Sequence, residues 1–168
     1  YFDQETMKID HIHNPQVRGD VSELVVEKPV VSGTPTYFFR REAFLANGGW
    51  KESEEIGIIS DWEMGARFCQ KWKVDYVPES LINVYVNHGV MRMSENRYYK
   101  QKLEKLIKFE KYFLQEFYNV FNKYPERAYK HYYDLSRALM LMGRYSEAWP
   151  YYKKLLFKRH TFKDIFLI

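Results

Sequence analysis

Two carboxylates and a tryptophan stand together at Asp61-Trp62-Glu63, directly after Ser60, and they form the densest chemistry in the chain. A carboxylate in the first turn of a helix projects from a rigid element and can be aimed into a cleft as a general base. Periodicity alone favours an ordinary acidic first-turn residue, which the positive end of the helix dipole stabilises. That same dipole makes the carboxylate a weaker base unless burial or neighbouring acids such as Glu54, Glu55 and Glu63 oppose it. Trp62 has two readings, a platform stacked on a sugar ring or an anchor in the core. Trp50, after Gly48 and Gly49, has the same two, and the glycine pair permits a sharp turn close to a ligand. Arg40 and Arg41 suit bidentate phosphate pairing or a solvated helix start. His11 and His13 alternate on a β-prone piece and share a face, as metal chelators or as two exposed histidines.

The elements that must position these groups follow from local pattern. Tyr1 to Val31 reads as a strand and an irregular connection, and Pro29 to Phe39 mixes β-branched and aromatic residues. Arg41 to Ala46 predicts a short helix stopped by Asn47-Gly48-Gly49. Ser60 with Glu63 predicts a capping box that starts a helix running from Asp61 to about Trp72, with Trp62, Gly65, Ala66, Cys69 and Trp72 on its apolar face. Val74 to Val77 and Leu81 to Val86 read as strands. From Ser94 an i, i+3, i+4, i+7 rhythm through Leu103, Ile107, Phe113 and Phe121 predicts one long helix ending near Tyr124-Pro125, with lysines opposite. The expected division is a domain over 1–93 and a helical extension over 94–168.

Composition narrows the class. A hydrophobic content of 46% in 168 residues supports a real core. The net charge of +4 is too small and too scattered in the first half to select nucleic acid as a partner, and acidic residues such as Glu104 and Glu110 interrupt the lysine face of the long helix. The single Cys69 excludes an internal disulfide framework and a Cys-based zinc site, which suits a reducing, cytoplasmic setting. No apolar run reaches the length of a membrane span. A basic and aromatic set from Lys153 to Lys163 suits a solvated helix face or peripheral contact with an anionic membrane.

Taken together, SGTPTYFFRREAFLANGGW, SDWEMGARF and VPESLINVYVNH resemble the acceptor half of a family 2 glycosyltransferase of the GT-A fold. The resemblance covers roughly the first half of the chain. It implies an α/β fold class, seen here as the C-terminal part of a GT-A nucleotide-sugar transferase followed by a mainly helical tail. The nucleotide-binding half, with an Asp-x-Asp metal motif, is expected before Tyr1, and residues 1–168 alone are expected to be inactive. It further implies inverting transfer of a sugar from a nucleotide-sugar donor to a glycan or lipid-linked acceptor, as in surface polysaccharide synthesis. Asp61 takes the role of base; Trp62, Trp50, Gly33, Arg40, Arg41 and Glu63 line the substrates. His88 completes the coordination of a divalent manganese or magnesium ion held mostly by residues outside this chain. Two positions depart from the family pattern: Ser60 replaces an acidic residue, and Val86 replaces the arginine of a Tyr-Arg-x-His segment.

Tyr132, Leu135, Ser136, Leu139, Gly143, Tyr145, Ala148, Tyr152 and Leu155 resemble one tetratricopeptide hairpin, with Pro150 expected in the first turn of its second helix. A single unit is short of the three a solenoid needs, so the hairpin is expected to pack on the preceding helix. The alternative reading of the whole chain is a noncatalytic helical module that binds a partner protein.

Overall fold

A computed structural model describes residues 1–14, 16–30, 34–52, 59–86 and 99–156. The chain divides into two compact units, residues 1–99 and 100–168. Helices dominate: α1 (Ser22–Glu27), α2 (Arg41–Ala46) and α3 (Ser60–Cys69) precede α4 (Tyr99–Glu116), α5 (Tyr118–Lys123), α6 (Tyr129–Leu141) and α7 (Tyr145–Leu156). The sheet is minimal. β1 (Phe2–Asp3) pairs antiparallel with β2 (Lys8–Ile9) and parallel with β3 (Tyr85–Val86), in the order β2-β1-β3.

The expected α/β architecture is therefore corrected to a mostly helical one. The physical reason lies in pairing. Val74 to Val77 contributes only an isolated bridge between Gly19 and Val74, and of Leu81 to Val86 only the last two residues join the sheet. Pro35 sits in a 3-10 turn over Thr34–Thr36, where a residue without an amide hydrogen cannot extend a ladder. Apolar alternation without a neighbouring strand leaves the chain extended but unpaired.

In the first unit α3 is the central element. Trp62, Glu63, Met64, Gly65, Ala66, Phe68 and Cys69 are all buried, a wider face than the five-residue stripe predicted. One side packs on α1, where Val25 and Val26 are buried and Gln70 Nε2 donates to the Ser22 carbonyl at 2.9 Å. The other meets Ala43 of α2, with Phe39, Phe44, Trp50 and Trp72 closing around Met64 and Phe68. Each such buried aliphatic or aromatic side chain contributes about 1.5–3 kcal/mol through removal of apolar surface from water. The predicted capping box does not form: Ser60 is already helical, Ile59 caps without a side-chain bond, and Glu63 turns to Arg67 instead.

In the second unit the long predicted helix is broken. Phe117, at φ −101° and ψ 23°, separates α4 from α5, although Phe113, Phe117 and Phe121 keep the apolar rhythm across the break. The part of that prediction from Ser94 to Tyr98 lies outside the described residues, as does the expected boundary at 93. Leu103 and Ile107 of α4 share a core with Leu135, Ala138 and Leu139 of α6 and Ala148 of α7. Gly143, at φ +74°, makes the turn between α6 and α7. Pro150 falls in the second turn of α7 rather than the first, so the Ser146 carbonyl has no amide at that position to accept from.

Candidate active site

Asp61 occupies the first turn of α3 and is half-buried; its Oδ1 accepts the Trp62 amide hydrogen at 2.8 Å. The Tyr37 hydroxyl donates to the Asp61 backbone carbonyl at 3.0 Å. The Tyr37 ring stacks on Phe39 with centroids 5.3 Å apart and meets Trp50 edge-on at 6.3 Å. One tyrosine thus joins the carboxylate's helical turn to an aromatic wall. Room for its hydroxyl comes from Gly65, where an added Cβ would lie 2.5 Å from that oxygen. Burial, then the charge of Asp61, pushes the Tyr37 phenol well above its ordinary range, so it remains a hydrogen-bond donor at physiological pH.

Trp50 is half-buried at the end of the turn that stops α2. That turn matches its prediction: Gly48 and Gly49 adopt φ +77° and +64°, and the Gly49 amide donates to the Phe44 carbonyl at 3.1 Å. What the sequence reading missed is the group that holds it. Arg67, one turn beyond Glu63 on α3, donates to the carbonyls of Asn47 and Gly49, the latter at 2.7 Å, and pairs with Glu63 at 2.9 Å. Glu63 is 1% exposed and also meets Lys51 at 3.4 Å, so its charge is compensated by two cations. A carboxylate paired in this way opposes the charge of Asp61 less than a free one would. The i, i+4 spacing of Glu63 and Arg67 was the available signal.

The remaining predicted residues are placed differently. Trp62 is buried, and its indole N–H donates to the Val25 carbonyl of α1, which fits the anchor of its two readings. Arg40 and Arg41 are exposed at the start of α2. Gly33 and His88 lie outside the described residues, as do Glu54 and Glu55. His11 stacks on Tyr1 and bonds to Asp10 at 2.7 Å on the surface. Among the described residues no group of three His, Cys, Asp or Glu side chains is placed to hold a metal ion; His88 and the residues expected to hold most of the manganese or magnesium ion lie outside them.

Two further buried groups bear on reactivity. Burial, then the charge of Asp20, raises the Cys69 thiol to about 12, which keeps it protonated and inert as a nucleophile. In the second unit His131 and Glu110, both buried, meet at 2.6 Å, with the imidazole stacked on Phe113 at 4.9 Å. Glu110, which the sequence reading placed on the lysine face, is a core residue. No helix among the described residues is long and apolar enough to cross a membrane. The chain matches no protein-family profile, no curated protein and no solved structure.

Proposed function

We infer that residues 1–99 supply the acceptor side of an inverting glycosyltransferase, with Asp61 as general base. The observation that carries this reading is the placement of Asp61: a half-buried carboxylate on a rigid helical turn, tied through Tyr37 to the half-buried indole of Trp50. In the reaction an acceptor hydroxyl oxygen attacks the anomeric carbon of a nucleotide-sugar, and the bond to the nucleoside diphosphate breaks. Asp61 Oδ2 takes the hydroxyl proton while Oδ1 stays fixed by the Trp62 amide. Trp50 offers an aromatic edge and face to the acceptor sugar. The donor diphosphate and any metal bound to it fall to residues outside these 168, and no step here passes through a metal. The acceptor is a glycan or a lipid-linked glycan, with surface polysaccharide synthesis the setting, on the cytoplasmic side.

The test is transfer by the full-length protein that carries this chain, with a panel of nucleotide-sugars, comparing wild type with Asp61→Asn. A fall in kcat of about a hundredfold or more, with donor binding retained, is the expected result for loss of a general base. An unchanged rate returns Asp61 to a structural first-turn role and makes a noncatalytic helical module the better account.

A further inference from the structure

We propose that the exposed stripe of α7 docks on an anionic phospholipid surface. The stripe is Tyr145, Trp149, Tyr152 and Leu156, at i, i+4, i+7 and i+11, a spacing that puts all four on one side of the helix. Ala148, the buried residue of α7, flanks the stripe and turns that edge of the helix into the core with Leu135 and Leu139. Tyr145, Trp149 and Leu156 are 69%, 49% and 50% exposed, an unusual concentration of apolar area on one short helix. Trp149 and Tyr152 are stacked with centroids 6.1 Å apart, so the two rings form one continuous surface.

Charge selects the occupant. Lys153 borders the stripe and its ammonium lies over the Trp149 ring, 5.3 Å from the centroid. The one acidic residue of α7, Glu147, is held on another side by Arg144 and Lys111. Residues 100–156 carry twelve Lys and Arg against six Asp and Glu. A second copy of the same face would bring like charges together. Tryptophan and tyrosine rings beside a lysine instead match the headgroup region, where the ring bodies enter the acyl boundary and the ammonium meets lipid phosphate. This surface is independent of the chemistry assigned to Asp61.

The experiment is flotation of the intact chain with vesicles of phosphatidylcholine alone, or of equal parts phosphatidylcholine and phosphatidylglycerol. Binding is expected only to the mixed vesicles. Trp149→Ser is expected to lower it about tenfold through lost apolar burial, and Lys153→Gln about fivefold through lost attraction to the anionic surface. Both residues are exposed, and an unchanged helical circular-dichroism signal verifies folding. As a second readout, brominated-chain lipid quenches wild type more than Trp149→Phe, which isolates Trp149 from Trp50, Trp62 and Trp72. Equal binding to both vesicle types, insensitivity to both substitutions, or absent flotation overturns the proposal. Retention on an immobilised oligosaccharide without vesicle binding also overturns it and makes the stripe a sugar platform.

Discussion

The hydroxyl of Tyr37 reaches the backbone carbonyl of Asp61 at 3.0 Å across the open side of Gly65, so the residue that lacks a side chain decides where the carboxylate's turn sits. Tyr37 stands between Phe39 and Trp50, and its phenol keeps its proton. Small size at position 65 and a donor at position 37 are one device. Neither works without the other.

Gly65→Ala is expected to displace Tyr37 and to destabilise the protein by about 1–3 kcal/mol through overpacking, despite the better helix propensity of alanine. Tyr37→Phe keeps the ring and removes only the hydrogen bond, a loss of about 1 kcal/mol. In the double variant the second change costs less than it does alone, because the bond is already gone. Urea unfolding of the four proteins checks this, and strict additivity would show that the two residues are uncoupled.

Arg67→Met removes the i+4 cation from the buried Glu63 and frees the carbonyls of Asn47 and Gly49. A loss of about 3 kcal/mol is expected from breaking a buried pair on one side. Arg67→Lys recovers little of it, since one ammonium cannot reach three acceptors in a planar fork. Comparison of both variants by chemical denaturation is decisive: full recovery with lysine would mean that charge, not geometry, holds the turn.

The Glu110 carboxyl is raised above its ordinary range by burial, against the opposing pull of His131. Asp134 adds to the rise and Lys130 opposes it. The folded state therefore binds this proton more tightly than the unfolded chain does. Its stabilising contribution is complete below the ordinary carboxylate range and is lost as pH rises through the elevated folded value. Glu110→Gln removes that dependence, so the stability of the variant relative to wild type is expected to climb between acid and neutral pH. A pH-independent difference in thermal or urea stability would contradict it.

Glu147 shows the reverse case on the surface. Hydrogen bonds from Arg144 and, less strongly, Lys111 hold its carboxyl at about 2. Carbon-detected NMR titration is expected to find it well below the other glutamates, and Arg144→Ala should return it most of the way to the usual range. High salt should also raise it, since the pair is open to solvent.

How much of this was legible depends on how local the determining contact is. The stop of α2 at Asn47-Gly48-Gly49 and the turn at Gly143 were readable because glycine conformation is a property of a few consecutive residues. The predicted strands were not, because Val74 to Val77 has the right residues but, among the described residues, pairs through a single bridge to Gly19, a fact set by distant chain. The break at Phe117 was hidden for a different reason: Phe113, Phe117 and Phe121 hold the same apolar spacing whether or not the helix is continuous. Glu110 looked like surface because its partner His131 belongs to another helix. At the candidate site, Asp61 was found where its motif placed it, at the head of α3. Arg67 was overlooked because its i, i+4 spacing announces only the pair with Glu63, whereas its hold on the turn comes from two backbone carbonyls distant in sequence.

The turn of Met142, Gly143 and Arg144 also sets an order of events in time. Closing so short a loop costs little chain entropy, and contacts between neighbours in sequence form quickly. The α6 and α7 hairpin therefore reaches its native packing early. Residues 1–99 depend on the meeting of Phe2 with Tyr85 and of Gly19 with Val74, pairings that wait until most of that unit is in place. The amides of Phe2 and Val74, bonded to the carbonyls of Val84 and Gly19, are therefore expected to gain protection later than those of α6 and α7 in pulsed hydrogen exchange during refolding.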